Sequence, residues 1–533
     1  MTPTRLLSSV RRRVQMQGTA TLDVAALTLP YEVWAHIFSY LELTVLVSRV
    51  ARVNSFFYDY VSAYRYKKAF VGEFASPRGL KQLLHLRDKR LGLHVKELTF
   101  RPGPVADLLL RQATSPLTAN RPLWLNRRSN LDSLYNQLDQ VMSNVSSVTS
   151  FNLDYGAHEF QPSSFFSVTP LVQRGWSACL QTLTRLELNL PLFALDQLLS
   201  SESSSSESTI RFPNLTELHL LAPFHRTDIA FVHDSPLPPH PVPQRVLQFL
   251  NTHSSTIAIL SIGMDVNIDA IFEGLATMPQ LVELRVSHFG PGVVNHCYTY
   301  KPATKHIETF DAMTAFLAVH ASQLNILHLE LRPLRDQRTG TVIQTYQYPF
   351  EGVLPHDPLA KLHTLSLCFL SDPSMPISQL PLSAPDTLIH RISTSYLPSL
   401  HSLHIVGAFL PLPGFQELLG RIPIHLTNLE LCCTLLSWNT FLALYKHLPG
   451  LRSLSLHYHT LEHPDMVPPN TRSLIALVMI LYRSGDISNW KLEHLSVQRV
   501  GFDTPHPDFP ILLKCLPNLW MPDVVLNAYS LLT

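Results

Sequence analysis

From Val95 onward the chain repeats one pattern of apolar and polar positions, Leu-x-x-Leu-x-Leu, often introduced by Pro-x-Leu. Clear copies begin at Leu183, Leu215, Leu281, Leu324, Leu362, Leu400, Leu426, Leu451 and Leu492, with conservative versions at Ile257, Val148 and Val95. The last two apolar positions of each phrase alternate with polar ones, as the side chains of a strand do. One such phrase would mean little in a leucine-rich chain; a dozen in order mark a repeat architecture.

Each phrase predicts a short strand whose inward aliphatic pair needs cover, and a neighbouring copy supplies that cover by stacking in parallel. A fully buried Leu or Ile contributes roughly 1.5–3 kcal/mol before chain entropy is subtracted, so a lone unit cannot hold itself together and a stack can. Between phrases lie amphipathic stretches such as Phe441 to Pro449, apolar at helical spacing and ended by a proline, which are expected as outer helices. The phrases recur at intervals of about 24 to about 53 residues. Regular leucine-rich repeats need only roughly 20–29, so loop insertions are expected, near 102–145, 198–212 and 233–244. Ser200 to Ser208 is Ser/Glu-rich and Ser235 to Pro243 is proline-rich; both lack the apolar content to order themselves, and the serines offer sites for phosphorylation. The phrases over 95–533 resemble those of the leucine-rich-repeat family. That resemblance implies an α/β solenoid, a horseshoe with a parallel concave sheet and irregular repeats.

A different pattern precedes the repeats. Over Leu29 to Leu41, Val33, Ile37 and Leu41 recur at four-residue steps, one face of a short helix, with Pro30 in the first turn and Glu32 at the positive end of the dipole. After a break at Glu42 to Thr44, Leu46, Val50, Val53 and Phe57 form a second helical stripe. Small helices of this size bury too little surface to stand alone comfortably, so the unit is expected to want a partner. These residues resemble the F-box: a Leu-Pro-x-Glu-Val start, an Ile-Phe-Ser-Tyr-Leu end to the first helix, Leu46, and Val53-Asn54-x-x-Phe57. Two segments depart from that family's pattern, Glu42-Leu43-Thr44-Val45 after the first helix and Asn54-Ser55-Phe56-Phe57 in the last. The resemblance implies binding to the Skp adaptor of SCF-type cullin-RING ubiquitin ligases through Leu29, Pro30, Glu32 and Val33, with Ile37, Leu41, Leu46, Val50 and Val53 divided between that interface and the small core. Expected organisation is thus a basic disordered tail (1–26), F-box helices (27–68), a helical linker (69–94) and repeats (95–533).

Composition narrows the function. The hydrophobic fraction is 46% and the charged fraction 15%, which argues against wholesale disorder, and a formal net charge of +1 attracts neither nucleic acid nor an anionic membrane. Six scattered cysteines make neither a zinc site nor a disulfide scaffold and point to a reducing compartment, cytoplasmic or nuclear. The longest apolar run, Leu474 to Tyr482, is about half a membrane span and reads as a buried helix. The acid-free start through Arg11, Arg12 and Arg13 faintly resembles a transit peptide, but no apolar signal core follows.

No Gly-rich phosphate loop, Gly-x-Ser-x-Gly elbow or His-Glu-x-x-His helix is present, so no enzyme and no cofactor are expected. His457, His459 and His463, with Glu462 and Asp465, have metal-like spacing, which alternate strand residues and a loop also produce; no metal is expected. Cys432-Cys433 reads as two core residues. The informative positions flank the second Leu of each phrase and face the concave side: Arg185, Glu187, Glu217, His219, Glu283, Arg285, His328, His404, Asn428, Glu430, Ser453, Ser455 and His494. They are polar and mixed in sign, which suits a protein partner. With the head, they imply a substrate-recognition subunit of an SCF-type ubiquitin ligase; the alternative is a repeat scaffold with no ligase role. An enzyme or enzyme activator built on the repeats would need a convergent acid, base or Arg constellation on one rim, and nothing in the sequence supplies it.

Overall fold

In the computed structural model every one of the expected phrases becomes a strand, and the residue that opens each phrase is buried, from Val95 and Val148 at 0% exposure to Leu492 at 2%. The structure describes residues 31–72, 77–106, 130–155, 162–199, 210–222, 244–264, 268–288, 310–331, 334–335, 342–344, 354–355, 358–369, 392, 399–461 and 490–499. The chain divides into two units, Met1–Lys67 and Lys68–Thr533.

The larger unit is an α/β solenoid. Its strands are β1 (Lys68–Val71), β2 (Glu97–Phe100), β3 (Ser150–Asp154), β4 (Arg185–Asn189), β5 (Glu217–Ala222), β6 (Ile259–Met264), β7 (Glu283–His288), β8 (Ile326–Leu331), a two-strand antiparallel pair β9 (Leu334–Arg335) and β10 (Val342–Gln344), then β11 (Thr364–Phe369), β12 (Ser402–Leu410), β13 (Asn428–Leu436), β14 (Ser453–Leu461) and β15 (His494–Arg499). All but β9 and β10 form a single 13-stranded sheet in chain order, each strand parallel to the next, as in β4 beside β5 and β13 beside β14. Along β3, β4 and β5 buried and half-buried residues alternate. The buried rows carry the phrase leucines, and the helix Leu412–Arg421 packs on β12 and β13. The opposite face, called the open face below, carries the mostly polar and half-buried members of the described strands.

Backbone chemistry locks the strands in register. At each of the eleven junctions from β2 to β15, the carbonyl of the residue that follows the opening apolar position accepts two N–H groups from the next repeat. Thr184 O, for example, takes Thr216 N and Glu217 N, both at 2.9 Å, and His401 O takes Thr427 N and Asn428 N at 2.9 and 3.0 Å. Both lone pairs of each such carbonyl are used, which satisfies backbone groups that the change from turn to strand would otherwise leave unpaired. Where threonine stands there, as at Thr149, Thr184, Thr216 and Thr427, its hydroxyl donates to the same carbonyl.

Two buried histidines fasten successive repeats in one way. His253 Nδ1 lies 2.8 Å from Phe249 O, and Phe212 N donates to His253 Nε2 at 2.9 Å. His320 repeats this with Phe316 O at 2.7 Å and Met278 N at 3.0 Å. Each ring spans its own helix end and the preceding repeat.

Two expectations are corrected. β1 lies within the stretch read as a linker and is already the first rung, because Ala69 and Val71 pair with Leu98 and Phe100 and share their burial. The helices Pro77–Leu86 and Lys89–Gly92 follow it. Within the expected insertion at 102–145 an amphipathic helix, Asn130–Asn144, buries Leu138, Val141 and Met142. The segments 198–212 and 233–244 lie largely outside the described residues, although Phe212 itself is core.

Candidate functional site

The smaller unit holds α1 (Tyr31–Ser39), α2 (Leu43–Ser48), a 3-10 turn at Val50–Arg52 and α3 (Ser55–Tyr66). Phe38, Leu46 and Val61 are its buried centre, with Trp34, Val47, Val50, Ala51, Phe57 and Tyr60 packed around them. Phe38 touches three rings, Trp34 at 5.5 Å, Phe57 at 5.2 Å and Tyr60 at 4.9 Å between centroids. Asn54 caps α3 by accepting Phe57 N at 2.8 Å, so the residue that departs from the family pattern starts the helix.

That core consumes only part of the apolar stripe. Val33 and Ile37 are 40% exposed, Leu41 38%, Leu43 46% and Val53 60%. Glu32 is exposed beside them. Of the residues expected to divide between the adaptor interface and the small core, Leu46 is 3% exposed in the core and Val50 is packed against it; a sequence stripe cannot say which of its members face inward. Leu29 and Pro30 lie outside the described residues.

The open sheet face gathers every polar residue expected there into two rows. One row runs Arg185, Glu217, Ile259, Glu283, Ile326, Thr364, Ser402, Asn428, Ser453, His494; the other runs Glu187, His219, Ser261, Arg285, His328, Ser366, His404, Glu430, Ser455, Ser496. In the first half these charges pair with one another. Arg185 meets Glu217 at 3.0 Å and Glu187 at 3.4 Å, His219 meets Glu217 at 2.7 Å, and Arg285 meets Glu283. Asp154 takes Arg101 and Asn189, both at 3.0 Å, and Ser287 donates to Glu330 at 2.8 Å. Burial holds the His328 imidazole below the ordinary histidine range, so at neutral pH it is an uncharged ring.

In the second half the face changes character. Lys and Arg drop out of both rows from β11 to β15, and a single carboxylate becomes the centre. Glu430 Oε2 lies 2.9 Å from His404 Nδ1, and its Oε1 lies 3.0 Å from His457 Nε2 and 3.4 Å from Ser455 Oγ. Those hydrogen bonds from His404 and His457 hold the carboxyl far below the usual carboxylate range, against the opposing effect of its own burial. His404 Nε2 in turn sits 2.7 Å from Ser402 Oγ. His457 was the one expected metal-like residue whose side chain is described here; His459, His463, Glu462 and Asp465 have side chains outside the described part. Among the described residues no group of three His, Cys, Asp or Glu side chains is arranged to hold a metal ion. Cys432 and Cys433 are buried thiols pushed up to about 12 by desolvation, inert as nucleophiles at neutral pH.

Among the described residues no single helix is long and apolar enough to cross a membrane. No family model matches the chain, and no curated protein matches it. Among solved structures the chain is similar to an internalin from Listeria monocytogenes, at 13% identity over 71% of this chain and 81% of that one, with a TM-score of 0.28. A likeness this distant carries no argument; the solenoid assignment rests on the sheet, its order and its register.

Proposed function

We propose that this chain is a substrate-recognition subunit of an SCF-type ubiquitin ligase: the small helical unit docks a Skp-type adaptor, and through it a cullin-RING ligase, while the open face of the repeats holds a protein target. The observation that carries the reading is the exposure of Val33, Ile37, Leu41, Leu43 and Val53 on a unit whose core is already closed around Phe38 and Leu46. Large apolar side chains left exposed together on one small unit mark an interaction site, and Val33, Ile37, Leu41 and Val53 are among those on which the F-box resemblance rests. The paired charges of the repeat face suit a hydrogen-bonding protein surface better than a polyanion.

The chain's part in ubiquitylation is then positional. Tethering raises the local concentration of target lysines near the loaded ligase, to the millimolar range for a well-matched tether, and no catalytic residue of this chain is required. The test is co-purification with a Skp-type adaptor. Ile37→Asp combined with Leu41→Asp places charge on exposed positions, so it should abolish adaptor binding while leaving the helical signal intact. Retained binding refutes the ligase role and leaves a repeat scaffold, a reading favoured by the two segments that depart from the F-box pattern.

A further inference from the structure

The open face carries two serine–histidine pairs at i, i+2, and only one of them is wired as a relay. In the Ser455/His457 pair both contacts fall on the same nitrogen: His457 Nε2 is 3.0 Å from Glu430 Oε1 and 3.5 Å from Ser455 Oγ. That ring cannot take a proton from serine while donating to the carboxylate through one atom. In the Ser402/His404 pair the contacts fall on opposite nitrogens, Nδ1 on Glu430 Oε2 at 2.9 Å and Nε2 on Ser402 Oγ at 2.7 Å. An ionised carboxylate only accepts, so Glu430 fixes the proton of neutral His404 on Nδ1 and turns the Nε2 lone pair towards the serine hydroxyl. This is the order nucleophile, base, orienting acid that nucleophilic catalysis requires.

The surroundings preserve that wiring. Groups facing Glu430 are Ser402 and His404 from β12, Ser455 and His457 from β14, and Asn428 and Cys432 from its own strand. None of these is a lysine or arginine that would draw the carboxylate away from His404. Beyond β12 the second row continues through Ser366 to His328, whose ring burial keeps neutral. Three adjacent strands in fixed register set the geometry, so the constellation stands on rigid elements.

We propose that Ser402, His404 and Glu430 form a working nucleophilic relay that makes Ser402 an acyl-accepting serine for small activated carboxylic esters. Ser402 Oγ attacks the acyl carbon as its proton passes to His404 Nε2; the bond from that carbon to the leaving oxygen breaks, and the departing alkoxide takes the proton. Water then attacks the acyl-serine by the same route, releasing the carboxylic acid and restoring the hydroxyl. Size is limited because Ser402 is only 7% exposed, whereas the His404 side chain is 31% exposed and within reach of solvent. Activation of the ester matters because the backbone offers no oxyanion hole: Ser402 N and Asn428 N are already committed to His363 O and His401 O. The Asn428 side chain, on the register partner of Ser402, is the amide of that rung able to serve in their place. A missing donor of this kind costs about 10²–10³-fold in rate, so good leaving groups are the substrates to expect.

The activity is independent of any ligase role and is tested on the purified full chain with a fluorophosphonate probe and with p-nitrophenyl acetate. The expected result is probe attached at Ser402, mapped by peptide mass spectrometry on the unaltered chain, and ester hydrolysis above the buffer rate. Ser402→Ala should abolish labelling. His404→Ala should slow it by about 10²-fold or more, as loss of a general base does, and Glu430→Gln should also slow it, since the amide no longer fixes the ring proton. No modification at Ser402 in the unaltered chain overturns the proposal, and so does labelling whose rate is unchanged in a folded His404→Ala variant. The mapping arm needs no variant and decides even if a substitution disturbs folding.

Discussion

The paired histidines His253 and His320 should make the solenoid acid-sensitive in a way that can be isolated by substitution. Each ring works only when neutral, because Nδ1 donates to the helix carbonyl four residues back while Nε2 accepts a backbone N–H of the preceding repeat. Protonation would set an N–H against the N–H of Phe212 or Met278. Both rings are 1% exposed, and burial holds both below the ordinary histidine range. The unfolded chain titrates near pH 6.5, so just below that value it binds protons that the folded chain refuses. Stability therefore rises with pH in that window and falls as pH drops through it. Each site supplies at most about 1.4 kcal/mol per pH unit, and the two together about 2.7. At neutral pH, His253→Leu with His320→Leu orphans two buried N–H groups at about 1–3 kcal/mol each. Gln at the same positions keeps an acceptor and should be milder. Urea unfolding followed by circular dichroism at pH 5.5, 6.5 and 7.5 gives the slopes. The unaltered chain should lose more stability per pH unit than the double Leu variant, by up to the sum above; equal slopes would refute the neutral-clip reasoning.

Two further substitutions separate packing from flexibility. A Cβ at Gly92 would stand 2.7 Å from the Asn144 carbonyl oxygen, which is backbone and cannot swing away, whereas at Gly175 it would meet the Met142 methyl at 2.5 Å. Gly92→Ala should cost about 1–3 kcal/mol, while Gly175→Ala should be near neutral because the thioether moves and the helix gains propensity; thermal denaturation of both variants ranks them. In the small unit, Phe38→Ala removes the ring at the centre of the core and should cost about 3–5 kcal/mol, enough to expose residues 31–67 to limited proteolysis. Unchanged protease resistance there would mean that the three-ring contact is not what holds the unit closed.

The sheet was legible because each phrase puts three aliphatic residues where a parallel stack must bury them, and Leu183, Leu186 and Leu188 are all at 0% exposure. β1 was not, because Lys68–Val71 is too short to show a phrase and gains its meaning only from pairing with β2. Polar residues of the open face were placed by alternation alone, since a period of two fixes which side they take. Their grouping was beyond it: Ser402 and His404 are neighbours in sequence, but Glu430 joins them only through the register of β12 on β13. His253 and His320 do carry a sequence signal, a Phe four residues before each histidine and an Ile or Leu four after it, as in Phe249-His253-Ile257 and Phe316-His320-Leu324. In the head, the apolar stripe located the helices; dividing it into core and surface needed the packing of Phe38 against Phe57 and Tyr60.

The two-donor carbonyls at the strand entrances give the solenoid a direction of assembly. In every junction from β2 to β15 the acceptor belongs to the earlier repeat and both donors to the later one. A nascent chain leaving the ribosome thus exposes each docking oxygen before the amides that will occupy it have been synthesised. Along the described strands growth can then proceed rung by rung in the order of translation, each repeat presenting the acceptor on which the next one docks.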